Sequence, residues 1–179
     1  MNLKLKLTPG LYLVGFMASG KSTVGRHLAH RMGWSFFDLD SEIEAAEKMT
    51  IAEIFAGRGE AEFRRIESEM LHAHVRWIEH GRPAVIALGG GAFTVEANRQ
   101  LLTEHGVTVW LDCPFEVVRR RVAEQQHGPV RPLAQDPEKF AALYDARRAH
   151  YQLADARVEI ASDDPEQTVT AILSHPGLK

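Results

Sequence analysis

Cysteine is nearly absent from this sequence, which contains one such residue, Cys113. A chain with one cysteine cannot form an internal disulfide, which excludes a disulfide-stapled mini-protein and favours a reducing compartment. Long apolar runs are also missing, because the stretch 11–17 is interrupted by Gly15 and is far shorter than the roughly 20 residues of a membrane-spanning helix. The N-terminus lacks the apolar segment of a secretory signal. We therefore expect a cytoplasmic protein without a membrane partner.

A large excess of charge of either sign is lacking too. The chain has 21 Lys+Arg and 24 Asp+Glu, which gives a formal net charge of -3. Such a chain has no overall electrostatic attraction for nucleic acid, so nucleic acid is not a predicted partner and any bound anion must be held by a local site. A length of 179 residues with 45% hydrophobic residues is typical of one globular domain, which we expect to span 1–179.

Short apolar runs that end at glycine or polar residues predict buried strands, and apolar residues at helical spacing between them predict helices. The predicted strands are 11–14, 35–38, 84–88, 107–111 and 157–161. The predicted helices are 22–32, 60–78 and 140–153, shorter ones that begin at Ser41 and Thr50 with capping-box spacing, one with Pro114 in its first turn, and one capped by Asp164-Pro165. Strands that alternate with helices indicate an α/β fold with a parallel sheet.

Residues 15–22 match the phosphate-binding pattern G-x-x-x-x-G-K-[ST], and they lie between a predicted buried strand and a predicted amphipathic helix. Glycines allow the backbone N–H groups to wrap a phosphate, and the N-terminus of the following helix adds a positive dipole end. Lys21 is placed to reach the outer phosphates, and the Ser22 hydroxyl is placed to bind Mg²⁺. The segment predicts a site for a nucleoside triphosphate.

Several classes of phosphate-loop protein are disfavoured by missing motifs. Neither asparagine, Asn2 or Asn98, begins the N-K-x-D sequence that reads guanine, and no aspartate is followed by glycine three positions later. The apolar run at 84–88 ends in glycines rather than in the acidic pair of motor ATPases. Residues 125–137 are rich in turn formers and predict an exposed mobile loop. A small-molecule kinase that closes such a loop over its nucleotide fits these features.

Most candidate residues for binding the phosphoryl acceptor have two interpretations. Asp38 and Asp40 follow the second predicted strand, where α/β sheets bind ligands, although Asp40 could instead help to cap the next helix. Arg64 has Glu60 and Glu67 at i,i+4 and i,i+3 spacing, which taken alone favours a surface ion pair worth under ~1 kcal/mol. Glycines 89–91 indicate either a simple turn or a ligand against bare backbone.

An ordered set of motifs resembles the shikimate kinase family over roughly residues 10–175. The motifs are G-x-M-x-x-G-K-S-T at 15–23, D-x-D at 38–40, G-E-x-x-F-R-x-x-E at 59–67, G-G-G at 89–91, R-P-L at 131–133 and R-x-x-x-Y at 147–151. The resemblance implies a P-loop fold like that of nucleoside monophosphate kinases, with a five-stranded parallel sheet of order 2-3-1-4-5 flanked by helices. It also implies a substrate-binding region at about 38–70, a mobile lid at about 122–137, and a monomer.

The same resemblance implies an activity and a set of site residues. The activity is transfer of the γ-phosphoryl group of ATP, with Mg²⁺, to the 3-hydroxyl of shikimate. The implied catalytic residues are Lys21, Asp40 and Arg131. The implied ATP site comprises Ala18, Ser19, Gly20, Lys21, Ser22, Thr23, Arg121, Arg131 and Pro165. The implied substrate site comprises Asp40, Arg64, Gly89, Gly90, Gly91 and Arg147, and the implied metal site comprises Ser22 and Asp38.

The sequence departs from the family pattern at a few positions. Ala18 stands where family members usually have glycine, and 125–127 looks like an insertion that lengthens the lid. The run 119–121 is all arginine, so the residue that packs on adenine is fixed only to within one position. Two other readings stay open: another small P-loop kinase, such as a gluconate or nucleoside monophosphate kinase, and a nucleotide-binding regulatory module that has lost catalysis.

Overall fold

A computed structural model describes residues 10–125 and 136–178 of the chain. The strands in this part are β1 (Gly10–Val14), β2 (Ser35–Asp38), β3 (Ala84–Ala87), β4 (Val107–Asp112) and β5 (Ala156–Glu159). The α-helices are α1 (Lys21–Met32), α2 (Leu39–Glu47), α3 (Ile51–Arg58), α4 (Glu60–Glu79), α5 (Glu96–His105), α6 (Phe115–Glu124), α7 (Pro137–Tyr151) and α8 (Pro165–Ser174). Short 3₁₀ helices occupy Ala92–Thr94 and Pro176–Leu178.

The strands form one parallel sheet in the order β2-β3-β1-β4-β5, which confirms the order expected from the family resemblance. Leu11 of β1 pairs with Val85 of β3 on one side and with Val107 of β4 on the other. All residues of β1 are buried, as is usual for a central parallel strand that is covered by helices on both faces. The predicted strands agree with the observed ones to within two residues at each end.

The helix starts show which local signals were read correctly. Thr50 and Glu53 form the predicted capping box at α3, and Asp164 caps α8, where Pro165 is the first helical residue. The prediction that α2 begins at Ser41 is wrong, because the Asp38 side chain caps it by accepting a hydrogen bond from the Ser41 backbone N–H (3.2 Å). The alternative that Asp40 caps this helix is wrong for the same reason.

Three further helix boundaries differ from expectation. Helix α7 begins at Pro137, which lay in the predicted loop, because Asp136 caps it, and it ends at Tyr151. Pro114 precedes α6 as its N-cap rather than lying in the first turn. Helix α5 was not predicted, and its N-cap residue Val95 has no side-chain acceptor that could have announced it. The rest of the predicted loop, 126–135, lies outside the described residues.

The C-terminal ends of the strands lead directly into the candidate site residues. Strand β1 is followed by the loop that starts at Gly15, β2 ends at Asp38, and β3 leads into 89–91. Because parallel strands end at the same edge of a sheet, these segments meet there, at the position where open α/β sheets bind ligands. No helix within 10–125 or 136–178 is both long and apolar enough to cross a membrane.

Candidate active site

The loop between β1 and α1 has the backbone of a phosphate-binding loop. Gly15 and Gly20 have positive φ values of 150° and 95°, and a Cβ atom at Gly15 would lie 2.8 Å from the Leu111 carbonyl oxygen. Gly20 is the N-cap of α1, and no side chain of the described chain caps this helix there. The first N–H groups of α1 therefore point out of the helix without a capping side chain, where an anion can accept from them.

Two residues of this loop are under local constraint. Ala18 has a φ of 58°, in the left-handed region that favours glycine, so this alanine carries backbone strain. The Ser19 hydroxyl is buried and has no hydrogen-bond partner among residues 10–125 and 136–178. A Cβ at Gly15 would lie 3.0 Å from this hydroxyl, so the loop is closely packed on its inner side.

Lys21 lies over the loop that it terminates. Its Nζ donates hydrogen bonds to the carbonyl oxygens of Gly15 (2.9 Å) and Phe16 (2.8 Å). The ammonium group is thereby held above the loop, where a phosphate would also be bound. Thr23, the third residue of α1, is exposed beside it.

A hydroxyl and a carboxylate meet at the start of α1. Ser22 donates from its Oγ to Oδ2 of Asp38, and the other oxygen of Asp38 is the cap of α2. Both predicted metal-binding residues are thus in contact, although one lies in α1 and the other is the last residue of β2. Hard oxygen ligands of this kind suit Mg²⁺, which needs only one or two protein ligands when phosphates and waters supply the others.

Asp40, in the first turn of α2, lies against the glycine turn that follows β3. A Cβ at Gly89 would lie 2.5 Å from Oδ1 of Asp40 and 3.0 Å from Oε1 of Glu67. Glycine at this position is therefore required for two carboxylates to approach the turn. The structure brings Asp40 and the glycine turn together as predicted, and it adds Glu67 to them.

Arg64 is held by a buried carboxylate rather than by a surface ion pair. Its Nη1 donates to Oε2 of Glu67 at 2.6 Å, and the Glu67 side chain is 1% exposed. The pair with Glu60 on the same helix is longer, at 3.6 Å. A Cβ at Gly91 would overlap the Arg64 guanidinium, so the arginine lies directly on the glycine turn. The interpretation of Arg64 as part of a surface ion pair is therefore wrong for the Arg64–Glu67 pair, because Glu67 is buried.

The Glu67 carboxyl is in an unfavourable place for a charge. Burial raises its pKa above 4.5, with Arg64 acting in the opposite direction and Asp40 adding to the rise. Its Oε1 has no hydrogen-bond partner within the described chain. Glu67 therefore positions Arg64 at the cost of burying a carboxylate that is satisfied on one oxygen.

Arg147, on α7, approaches the same turn at its middle glycine. A Cβ at Gly90 would lie 2.9 Å from its Nη1, and its guanidinium lies 5.7 Å from the centre of the Phe16 ring. Tyr151, one turn further along α7, donates from its hydroxyl to the Gly90 carbonyl at 2.5 Å. Burial raises the pKa of Tyr151 to about 12, so it stays a donor at neutral pH. Two guanidinium groups thus converge on one glycine turn.

The three arginines 119–121 take different places. Nη1 of Arg121 donates to the Ala18 carbonyl (3.1 Å), and Nη2 donates to Oδ1 of Asp163 (2.7 Å). Arg120 donates to the other oxygen of Asp163 (2.7 Å), and Arg119 pairs within its own helix. The contact with the phosphate-binding loop favours Arg121 among the three as the residue of the nucleotide site.

Asp163 joins two predicted parts of the nucleotide site. The hydrogen bond from Arg121 holds the pKa of this carboxyl below 3.8, and Arg120 adds to the effect. Pro165 begins α8 two residues later, so the ion pair links α6 to the segment that contains this proline. Arg131, the predicted lid residue, lies outside the described residues.

Sequence reasoning gave no role to Glu67 or Tyr151, which the structure places at the site. Both stand in the quoted motifs, Glu67 as the last residue of G-E-x-x-F-R-x-x-E and Tyr151 as the last residue of R-x-x-x-Y. Motif position was thus the available signal. Phe16, which lies beside Arg147, gave no signal beyond its place inside the phosphate loop.

Comparison with known proteins agrees with this geometry. A family model described as shikimate kinase matches residues 17–175. The shikimate kinase of Ruegeria pomeroyi is 46% identical over 143 residues, which are 80% of this chain and 71% of the relative. That of Cereibacter sphaeroides is 41% identical over 170 residues, 93% of this chain and 82% of the relative. This chain belongs to the shikimate kinase family. It is therefore an ATP-dependent kinase.

Solved structures of shikimate kinases have the same fold. The enzyme from Acinetobacter baumannii in complex with shikimate has a TM-score of 0.83 and 35% identity, with 94% of this chain and 93% of that one covered. The enzyme from Aquifex aeolicus has a TM-score of 0.77 and 34% identity, with coverage of 92% and 93%. A sugar kinase from Janibacter, at 19% identity and a TM-score of 0.65, shares the fold alone.

Proposed function

We propose that this kinase transfers the γ-phosphoryl group of ATP to the 3-hydroxyl of shikimate, giving shikimate 3-phosphate and ADP. The observation that carries the proposal is the convergence of Arg64, Arg147 and Asp40 on the glycine turn 89–91, beside the phosphate-binding loop. The shikimate-bound relative from Acinetobacter baumannii, with 35% identity, supports the choice of acceptor.

The two arginines suit an acceptor that carries a carboxylate. Guanidinium groups stay charged and bind carboxylates through paired N–H donors, so Arg64 and Arg147 would hold shikimate by its acid group. Glu67 fixes the first guanidinium, and the Phe16 ring lies beside the second. The backbone of Gly89, Gly90 and Gly91 would then face the ring hydroxyls.

Asp40 is the group that would take the proton of the acceptor hydroxyl. It lies on α2 against Gly89, so an acceptor held by the arginines on this turn would present a hydroxyl within its reach. A positioned carboxylate of this kind contributes as a general base once it is within hydrogen-bond distance. Arg131 would approach from the lid, about 122–137, and stabilise charge on the transferred group.

The nucleotide would occupy the loop at the end of β1. Backbone N–H groups and side chains of Ala18, Ser19, Gly20, Lys21, Ser22 and Thr23 would bind its phosphates, with Lys21 moving from the loop carbonyls to the outer phosphates. Arg121 would pack on the adenine, and Pro165 would form the opposite side of its slot. The Arg121–Asp163 ion pair links these two sides.

Ser22 and Asp38 would hold Mg²⁺, since their oxygens are already in contact at the mouth of the phosphate loop. When bound, the ion neutralises charge on the phosphate oxygens. Asp38 has a second task, because its other oxygen caps α2 and so fixes the helix that carries Asp40. Metal binding and base positioning would thus share one carboxylate.

We further propose that the enzyme is a cytoplasmic monomer with one kinase domain over 1–179 and an acceptor-binding region at about 38–70. The chain has one cysteine, Cys113, and so has no internal disulfide, which agrees with a reducing compartment. Its thiol lies 3.7 Å from Arg121, and burial raises the pKa of the thiol, which disfavours the reactive thiolate.

The first test is ADP release from Mg·ATP with shikimate, with gluconate, with nucleoside monophosphates and with no acceptor. ADP formed with shikimate alone would support the proposal. Turnover with a different acceptor and none with shikimate would refute the acceptor assignment, and ATP binding without turnover on any acceptor would favour a regulatory module.

The second test is Asp40→Asn, which keeps the shape of the side chain and removes its basicity. A positioned general base contributes roughly 10²–10⁴-fold, so kcat with shikimate should fall by about that factor. Asp145→Asn, at an exposed position of α7, is the matched control and should keep normal turnover. Nearly intact turnover in Asp40→Asn would show that another group takes the proton.

A further inference from the structure

A buried carboxylate at the end of β4 is bound by two arginines from different elements. Asp112 is 5% exposed. Arg148 of α7 binds both of its oxygens, from Nη1 to Oδ1 and from Nη2 to Oδ2 (3.2 Å). Arg157 of β5 donates from its Nε to Oδ2 at 2.8 Å. Because each arginine alone neutralises the carboxylate, removal of either one leaves Asp112 paired.

Further contacts fix the Arg148 guanidinium. It lies 4.9 Å from the centre of the Trp110 ring, and Arg157 lies 5.1 Å from the same ring. Its Nη1 also donates to the Tyr144 hydroxyl (3.0 Å), which in turn donates to the Cys113 carbonyl (2.8 Å). Residues of α7 are therefore tied to the end of β4 by charge, by a ring face and by a hydrogen-bond relay.

Arg147, the residue before Arg148, is the group proposed to bind the carboxylate of the acceptor. Successive residues of an α-helix point about 100° apart, so Arg148 can face β4 while Arg147 faces the glycine turn. The side chain of Arg147 lies at Gly90, and Tyr151 reaches the carbonyl of the same glycine. The rotation of α7 about its axis thus decides whether the Arg147 fork meets the acceptor.

We propose that Asp112 and Arg148 are positioning residues, which set the rotation and height of α7 so that Arg147 meets the carboxylate of the acceptor. This inference rests on the proposed function, because it takes an acid as the ligand of Arg147. A buried ion pair is weak evidence for added stability, and fixing one arrangement of α7 is the use that fits its contacts here.

Two variants each remove one of the positive charges that pair with Asp112. Comparing them separates the positioning of α7 from simple neutralisation of the carboxylate. Arg148→Gln frees α7 from Asp112, whereas Arg157→Gln acts on β5 and leaves α7 attached. We expect Arg148→Gln to raise the KM for shikimate about tenfold, equal to about 1.4 kcal/mol, with the KM for ATP within about twofold of wild type. Arg157→Gln should leave both KM values within about twofold of wild type.

Arg148→Lys is the conservative variant and keeps one charged contact. It should restore part of the lost KM, since an ammonium replaces the charge but not the two-pronged geometry. An unchanged KM for shikimate in Arg148→Gln, or an equal rise in Arg157→Gln, would overturn the proposal. An equal rise in the KM for ATP would point to general damage and would overturn it too.

Amide hydrogen exchange tests the anchor without any enzyme turnover. Exchange in Pro137–Tyr151 should be faster in Arg148→Gln than in wild type or Arg157→Gln, while exchange in Lys21–Met32 stays the same. If wild type fails to phosphorylate shikimate, the proposed function and the carboxylate assignment fall, and exchange alone decides the anchor. If exchange in α7 does not change in Arg148→Gln, the positioning proposal falls even for an active shikimate kinase.

Discussion

The glycine turn 89–91 is closely packed by side chains from three helices. A Cβ at Gly89, Gly90 or Gly91 would meet a side chain of the site, in that order Asp40, Arg147 and Arg64. From sequence, the three glycines indicated either a simple turn or a ligand against bare backbone. The structure gives a second reason for them, because the missing side chains leave room for the residues that would bind and activate the acceptor.

Gly91→Ala tests this packing at one atom. The added methyl group occupies the place of the Arg64 guanidinium, so the arginine must move away from the turn. We expect the KM for shikimate to rise roughly 10–100-fold, the cost of about 1.4–2.7 kcal/mol of binding, with little change in the KM for ATP. Gly57→Ala, where a Cβ meets nothing within 4 Å, is the control. A normal KM for shikimate in Gly91→Ala would show that Arg64 does not bind the acceptor.

Glu67 gives the free energy of unfolding a pH dependence of known sign. Its pKa is raised above 4.5 by burial, so the folded state binds the proton more tightly than the unfolded state. Its contribution therefore favours the fold at low pH and is lost as pH rises from 4.5 through the raised pKa.

Glu67→Gln removes this titration and keeps the shape of the side chain. We expect the free energy of unfolding of Glu67→Gln, relative to wild type, to increase as pH rises above 4.5. Urea unfolding at a series of pH values measures it. Glu69→Gln, at a side chain 66% exposed on the same helix, controls for the change in net charge. If the free energy of unfolding of Glu67→Gln differed from that of wild type by the same amount at every pH, the raised pKa of Glu67 would be contradicted.

At the scale of the elements, one helix ends on a residue with an unfavourable backbone. Lys48, the C-cap of α2, has a φ of 53°. Glycine takes this conformation without a Cβ penalty, so Lys48→Gly should stabilise the protein by about 0.5–1 kcal/mol. Lys48→Ala removes the charge but keeps the Cβ, and it should give no comparable gain. Thermal or urea unfolding of the two variants decides, and an equal effect would show that charge rather than conformation matters.

Local signals in the sequence predicted most helices and strands. They failed where another residue supplied the helix cap or where no side chain capped the helix. The Thr50 cap and the end of α1 at Met32 were predicted from adjacent residues and are confirmed. Ser41 had the right spacing for a cap, but Asp38, three residues earlier, accepts its N–H. Helix α5 begins without a capping side chain, so nothing in the sequence marked its start.

Contacts between distant elements were beyond sequence reasoning. The bonds from Arg148 to Asp112 and from Arg121 to the Ala18 carbonyl join residues that are 36 and 103 positions apart. Spacing along a chain carries no information on such pairs. For the phosphate-binding loop the motif was sufficient, because all of its residues are contiguous and their backbone forms the site.

At the scale of the whole molecule, the sheet brings several parts of the site to one edge. The sheet order came from the family resemblance, since alternating strands and helices alone are compatible with several orders. In this order β1 lies in the centre between β3 and β4. The phosphate loop, the glycine turn and Asp112 therefore lie at the C-terminal ends of three neighbouring strands. We therefore expect ligand binding at one of these loops to stabilise the domain as a unit.

ATP binding should raise the unfolding temperature through Lys21. A ligand at about 100 times its Kd stabilises the folded state by about 2.7 kcal/mol, and for a chain of this size each kcal/mol raises Tm by roughly 2–4 °C. Mg·ATP should thus raise Tm by roughly 5–10 °C, with one transition seen by both circular dichroism and tryptophan fluorescence. Lys21→Ala should lose most of this shift, because its ammonium group stands over the phosphate loop. Lys139→Ala, which removes a lysine that is 77% exposed at the start of α7, should keep the shift. A full shift in Lys21→Ala would place the nucleotide away from this loop.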